Sequence, residues 1–156
     1  MFFWLPILSF AESKDGVIDD WLVSWDYYDD EETVIMIMKE SINPTIQRQH
    51  VSHYTYVNFA VWCSNQDSMI FFAFPDALIM NDFSSFTFVL DGGKPFDVDF
   101  KKIRGRRVFD ILDKFSGKNL LMVDAHKPDG SIVSFEFDIS KIKAPLEEVK
   151  KVCSAY

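Results

Sequence analysis

Residues 119–137 read NLLMVDAHKPDGSIVSFEF, two apolar-rich segments on either side of Lys127-Pro128-Asp129-Gly130-Ser131. The Pro-Asp-Gly order suits a type I turn that closes with Gly in the left-handed region. Segments 119–125 and 132–137 are therefore predicted to form an antiparallel hairpin. Upstream, 83–90 and 95–100 flank Asp91-Gly92-Gly93-Lys94, where the Gly pair is expected to supply the positive φ of a second tight hairpin.

The same period continues toward the N-terminus. In 54–63 the residues Val57, Phe59, Val61 and Cys63 alternate with Ala60 and Trp62, so both faces are partly apolar, the mark of a central strand. Ser64-Asn65-Gln66-Asp67 is a turn and 68–74 its returning partner. In 21–27, Trp21, Val23, Trp25 and Tyr27 share one face, and 33–38 is the strand that follows. Asn43-Pro44 marks a turn within the polar connector 40–52. Helical spacing occurs twice. Val108, Ile111, Leu112 and Phe115 precede a stop at Gly117. A terminal helix starts at Ser140 or Ala144, with Pro145 in its first turn and Glu147 and Glu148 near its positive end. Its stripe of Leu146, Val149, Val152 and Cys153 faces inward. The expected fold is mainly β (a β-rich α+β chain), an antiparallel sandwich or open barrel with two short helices, one of them C-terminal.

The chain has 156 residues, 48 % hydrophobic and 26 % charged, enough for one core and incompatible with intrinsic disorder. Residues 12–156 are expected to form a single β-rich domain, preceded by 1–11 as a signal peptide or an apolar arm. That first stretch, MFFWLPILSF, ends in Ser9-Phe10-Ala11 before Glu12, the small-residue spacing of a cleavage site, although no Lys or Arg precedes it. It is too short for the roughly 20 residues of a spanning helix, so no transmembrane anchor is expected. The formal net charge is −8, from 16 basic and 24 acidic residues, which argues against nucleic acid and favours a cationic partner. Cys63 and Cys153 are the two cysteines of the chain, and after export they can form one disulfide with a single connectivity. Closing a loop of about 90 residues is worth roughly 4.5 kcal/mol in the chain-entropy picture.

Several landmarks recur together: Trp21 to Trp25, the Asp-rich turn and strand from Asp26 to Ile37, and the strand ending in Cys63. The helix Phe109-Asp110-Ile111-Leu112, the stretch from Phe135 to Leu146 and the late Cys153 follow in order. With them the chain resembles a family of small exported bacterial proteins that includes type VI secretion-associated accessory proteins and phage-borne members. The resemblance covers about 21–153 and implies a periplasmic or secreted, disulfide-bonded binding or accessory protein without enzymatic activity. Such members often carry Arg just before the first cysteine, where this chain has Trp62.

Candidate functional residues follow from chemistry. Asp26 to Glu32 contribute five acids around Tyr27 and Tyr28. Trp25, Tyr27, Tyr28, Asp29, Asp30, Glu31 and Glu32 form the expected partner-binding surface, aromatic anchors beside an acidic tip. Arg104, Arg106 and Arg107, with Lys101 and Lys102, form a weak anion-binding candidate. His50 and His53 have metal-like spacing but no further ligands, and the acidic run lacks the central Gly and terminal Glu of a calcium loop, so no metal or cofactor is expected. No Gly-x-Ser-x-Gly elbow occurs and no catalytic residue is assigned. The leading expectation is a non-enzymatic protein acting on a protein or cell-envelope partner. The alternatives are an inhibitor of a cationic hydrolase such as lysozyme, and an envelope hydrolase with paired carboxylates.

Overall fold

The computed structural model describes residues 12–27, 33–43, 46–47, 56–65, 67–73, 83–99 and 103–153. In chain order its strands are β1 (Glu12–Ile18), β2 (Trp21–Tyr27), β3 (Thr33–Glu40), β4 (Ile46–Gln47), β5 (Asn58–Ser64) and β6 (Ser68–Ala73). They continue as β7 (Ser85–Leu90), β8 (Phe96–Val98), β9 (Leu120–His126) and β10 (Ile132–Asp138). Helix α1 (Arg106–Leu112) runs into a single 3-10 turn, Asp113–Phe115, and α2 is Lys143–Val152. Two antiparallel sheets, ordered β1-β2-β3-β5-β6 and β4-β10-β9-β7-β8, pack as a sandwich, and neither closes into a barrel.

The deciding hairpin forms as its turn chemistry dictates. β9 and β10 pair from Leu120 opposite Asp138 to His126 opposite Ile132. Gly130 stands at φ 87°, and the Asp129 carboxylate accepts from the Ser131 amide at 2.8 Å and from its hydroxyl at 2.6 Å. The β7–β8 turn differs from expectation, because its positive φ angles fall on Asp91 (49°) and Gly92 (69°) rather than on the Gly pair. Gly93 N–H donates to the Leu90 carbonyl at 2.9 Å, so this is a type I′ turn with Asp-Gly at its centre. The Asp91 carboxylate then accepts from the Asn119 and Leu120 amides, at 3.0 and 2.8 Å from one oxygen, tying the turn to β9.

Two strands were not expected. β1 pairs with β2 through a two-residue turn at Asp19 and Asp20, both at positive φ. β4 is a short pair on the edge of β10 inside the polar connector. Helix α1 starts two residues before its first apolar position, at Arg106, and α2 carries no acid in its first turn. Glu147 and Glu148 thus sit mid-helix, away from the positive end of its dipole.

The core is one aromatic lattice. Phe72 of β6 meets Phe86, Phe88, Phe135 and Phe137 of the opposite sheet at ring-centroid distances of 5.1–6.1 Å. Phe59 of β5 reaches Phe137 at 5.8 Å and Phe115, at the end of the 3-10 turn, at 5.9 Å. Trp21, Val23, Ile35, Ile37, Phe59 and Val61 are fully buried on the inner face of the first sheet. Both helices also join that inner side: Cys63 of β5 is bonded to Cys153 beyond α2, and the Ser68 hydroxyl of β6 donates to the Gly105 carbonyl before α1 at 2.9 Å.

Candidate functional site

The predicted site residues separate in space. The Cys63–Cys153 disulfide is present, with Cα atoms 6.3 Å apart, inside the usual span for such a bridge; both residues are buried. Trp25 lies on the inward row of β2, half-buried against the core, with the Lys14 ammonium 5.4 Å from its ring centroid. Tyr27, the next inward-row residue, is 41 % exposed at the strand end. Tyr28, Asp29, Asp30, Glu31 and Glu32 lie outside the described residues, as do Lys101, Lys102, His50 and His53. Arg104 is ion-paired with Asp67 at 3.1 Å, while Arg106 and Arg107 are exposed in the first turn of α1. The structure therefore does not gather Trp25 with an outward aromatic patch, and it commits Arg104 to a carboxylate.

Alternation along the strands fixes what each sheet shows on its outer side. On the second sheet the outward side is mostly polar, with Val89, Leu120, Met122 and Ile132 also on it. Thr87 Oγ1 donates to Asp97 at 3.0 Å; a hydroxyl has one proton, so the 3.0 Å contact with His126 is a donation from its Nε2–H to the Thr87 oxygen. Ser134 donates to Asp124 beside them. Around Thr87 that face is a hydrogen-bonded polar patch.

The outer side of the first sheet is of the other kind. Register places Val17, Leu22, Met38, Ala60 and Phe71 in one row across five strands. The neighbouring row is Asp15, Ser24, Met36, Trp62 and Met69. Val17 and Leu22 are 69 % and 44 % exposed, and Met36, Met38, Trp62, Met69 and Phe71 are half-buried. At the β1–β2 corner the Asp15 carboxylate accepts from Ser24 and the Asp26 carboxylate from Ser13, each at 2.6 Å. Glu40 is exposed on the adjacent row, opposite Asn58. Among the described residues these outward rows contain no Lys or Arg. A methionine- and aromatic-rich sheet face edged by carboxylates is the least ordinary surface of the fold, since a solvated antiparallel sheet normally alternates to polar residues on that side.

No protein-family model, curated protein or solved structure matches this chain. Its function must be argued from these surfaces. The described residues also form a groove of about 430 Å³ between the 3-10 turn and α2. Its floor includes Leu112, Phe115 and Leu146, already buried in the core, and its rim mixes Lys118, Lys143 and Lys150 with Asp113 and Glu147. Lys150 bridges to Asp113 at 3.0 Å, so a ligand anion there would compete with an existing carboxylate. Among the described residues no cluster of three or more His, Cys, Asp or Glu could hold a metal ion, and no helix is long and apolar enough to cross a membrane.

The outer face was only half visible in the sequence. The two-sided apolarity of 54–63 was the available signal, but it is equally the pattern of an interior strand covered on both sides. The acids Asp15 and Asp26 carried no signal of their own without the β1–β2 pairing that turns them to that face.

Proposed function

We propose that this chain is a non-enzymatic, extracytoplasmic binding domain that acts through the outer face of its first sheet. The observation that carries the reading is the difference in degree between the two outer faces: mostly polar on the second sheet, where Val89, Leu120, Met122 and Ile132 are the apolar members, and predominantly apolar and methionine-rich on the first. Leaving Met36, Met38, Trp62, Met69 and Phe71 half-buried beside the exposed Val17 and Leu22 has no structural benefit, and such patches on folded proteins mark interaction surfaces. The Cys63–Cys153 bridge supports an oxidising compartment, where disulfides persist. Placement among the exported proteins that accompany type VI secretion, or serve the envelope, agrees with that chemistry.

The test is site-specific photo-crosslinking in the native host. A benzophenone amino acid at Met36, Met69 or Phe71 is expected to yield discrete adducts in the periplasmic or secreted fraction, and the same group at Thr87 none. Equal adducts from both faces, or none from the first sheet, would overturn this reading. Intact mass with and without reduction before thiol alkylation reports the compartment independently, since a bridged chain takes up reagent only after reduction.

A further inference from the structure

We infer that the outer face of β2, β3, β5 and β6 receives a cationic amphipathic helix from its protein partner. The inference rests on the binding-face reading above and names the chemistry of the occupant.

The secondary structure of the occupant follows from hydrogen bonding. Residues in the middle of a sheet have their backbone donors and acceptors committed to the ladders, so the face offers side chains alone. An extended segment laid on it would bury its own N–H and C=O groups against apolar carbon, each left unpaired at the full cost of its desolvation. A helix satisfies those groups internally and presents a single apolar stripe.

Dimensions agree. From Leu22 to Phe71 a row crosses four strands, or about 14 Å at the usual strand spacing. About ten helical residues cover that distance. The two rows stand about 7 Å apart along the strands, within the roughly 10 Å breadth of one helix. Flexible methionines at Met36, Met38 and Met69 can adjust to the knobs of such a stripe.

Charge decides the partner's polar flanks. The corner beside the rows holds Asp15 and Asp26, and Glu40 edges the other side; their carboxylates retain acceptor capacity beyond the two serine hydrogen bonds. With no cation on the described outward rows and a chain charge of −8, a helix carrying Glu or Asp beside its stripe would meet like charge, and one carrying Lys or Arg would be steered in. The same charge opposes a second copy of this chain as the occupant.

The experiment uses the full chain and two fluorescein-labelled synthetic helices of about 14 residues, one of Leu and Lys and one with each Lys replaced by Glu, read by anisotropy. The Lys helix should bind at least about 10-fold more tightly than the Glu helix, and weaken with added salt. D15K/D26K should reduce that affinity about 10-fold. M36T/M69T should abolish binding while circular dichroism and the melting transition stay in place, and T87A should leave it unchanged.

Equal affinity for both helices, or binding that survives M36T/M69T in a folded chain, would overturn the proposal. So would a sedimenting dimer that M36R dissociates, which gives the face to a second copy, or a benzophenone adduct at Met69 mapping to residues 1–11 of the same chain. If the Lys helix fails while adducts to another protein persist at Met36 and Met69, the cationic helix is wrong and the binding face stands. If those adducts are absent too, both fall.

Discussion

Phe72 shows how much one side chain can carry in this core. Its ring touches four phenylalanines of the opposite sheet as well as Phe59 of its own, so Phe72→Ala removes one side of both layers at once. The expected cost is about 3–5 kcal/mol, read as a lowered urea midpoint. Asp19 gives a second prediction. At φ 47° its left-handed backbone suits Gly, Asn or Asp, and Asp19→Val should cost about 1–2 kcal/mol, whereas Asp19→Gly should be neutral or slightly stabilising in the same melts. The alternating apolar side chains of β2, Trp21 and Val23 among them, were legible from sequence. Which of two apolar rows faces inward was not legible at β5, because Phe59 and Trp62 are both large aromatics and only the opposing sheet chooses between them.

The hairpins β7–β8 and β9–β10 were readable as elements because Asp-Gly and Pro-Asp-Gly turns announce themselves within four residues. β1 was not. Its sequence, ESKDGVI, is half polar with a Gly at its centre, and its turn is Asp-Asp without Gly, so tertiary pairing with β2 overrides weak local preference. That turn and the Asp138 turn also set an acid limit. The Lys141 ammonium, 2.9 Å from Asp20, holds the Asp20 carboxyl below its ordinary range through hydrogen bonding and charge. Hydrogen bonds from the Ser140 hydroxyl and amide do the same for Asp138. Depressed carboxylates stabilise the fold above their unfolded pKa, and this contribution is lost as pH falls through the lower folded values, so stability should drop below about pH 4. Asp138→Asn should flatten that acid limb in denaturation curves taken from pH 6 to 2. The bridge beyond α2 acts at the same scale: C63S/C153S should lose up to about 4.5 kcal/mol of unfolding free energy, and reduction of the parent chain should reproduce the loss and reoxidation restore it.

For the whole molecule, the fold class was legible and the function was not, and the reason is the same period of two. Alternation on the second sheet, with Thr87, Asp124 and Ser134 outward and Val89, Leu120, Met122 and Ile132 as departures, specifies a sandwich with one mostly polar side. On the first sheet the outward positions are apolar as well, so the pattern still says strand but no longer says what covers it. At this scale the expected behaviour is a dissociation between stability and surface chemistry. M36T/M69T should reduce the fluorescence of a hydrophobic dye bound to the native chain and change the melting free energy by less than about 1 kcal/mol. A large destabilisation with unchanged dye binding would assign those methionines to packing alone.

The covalent tie between β5 and the end of α2 also orders events in time. Ninety residues separate Cys63 from Cys153, and at about 5–20 residues per second of synthesis the first thiol waits roughly 5–20 s before its mate exists. With two cysteines in the sequence, no intramolecular disulfide can form during that interval; oxidation of Cys63 gives a mixed disulfide with a foreign thiol or a sulfenic acid. A cell that makes this protein must keep Cys63 reduced until Cys153 has been added, or supply an exchange catalyst to release it.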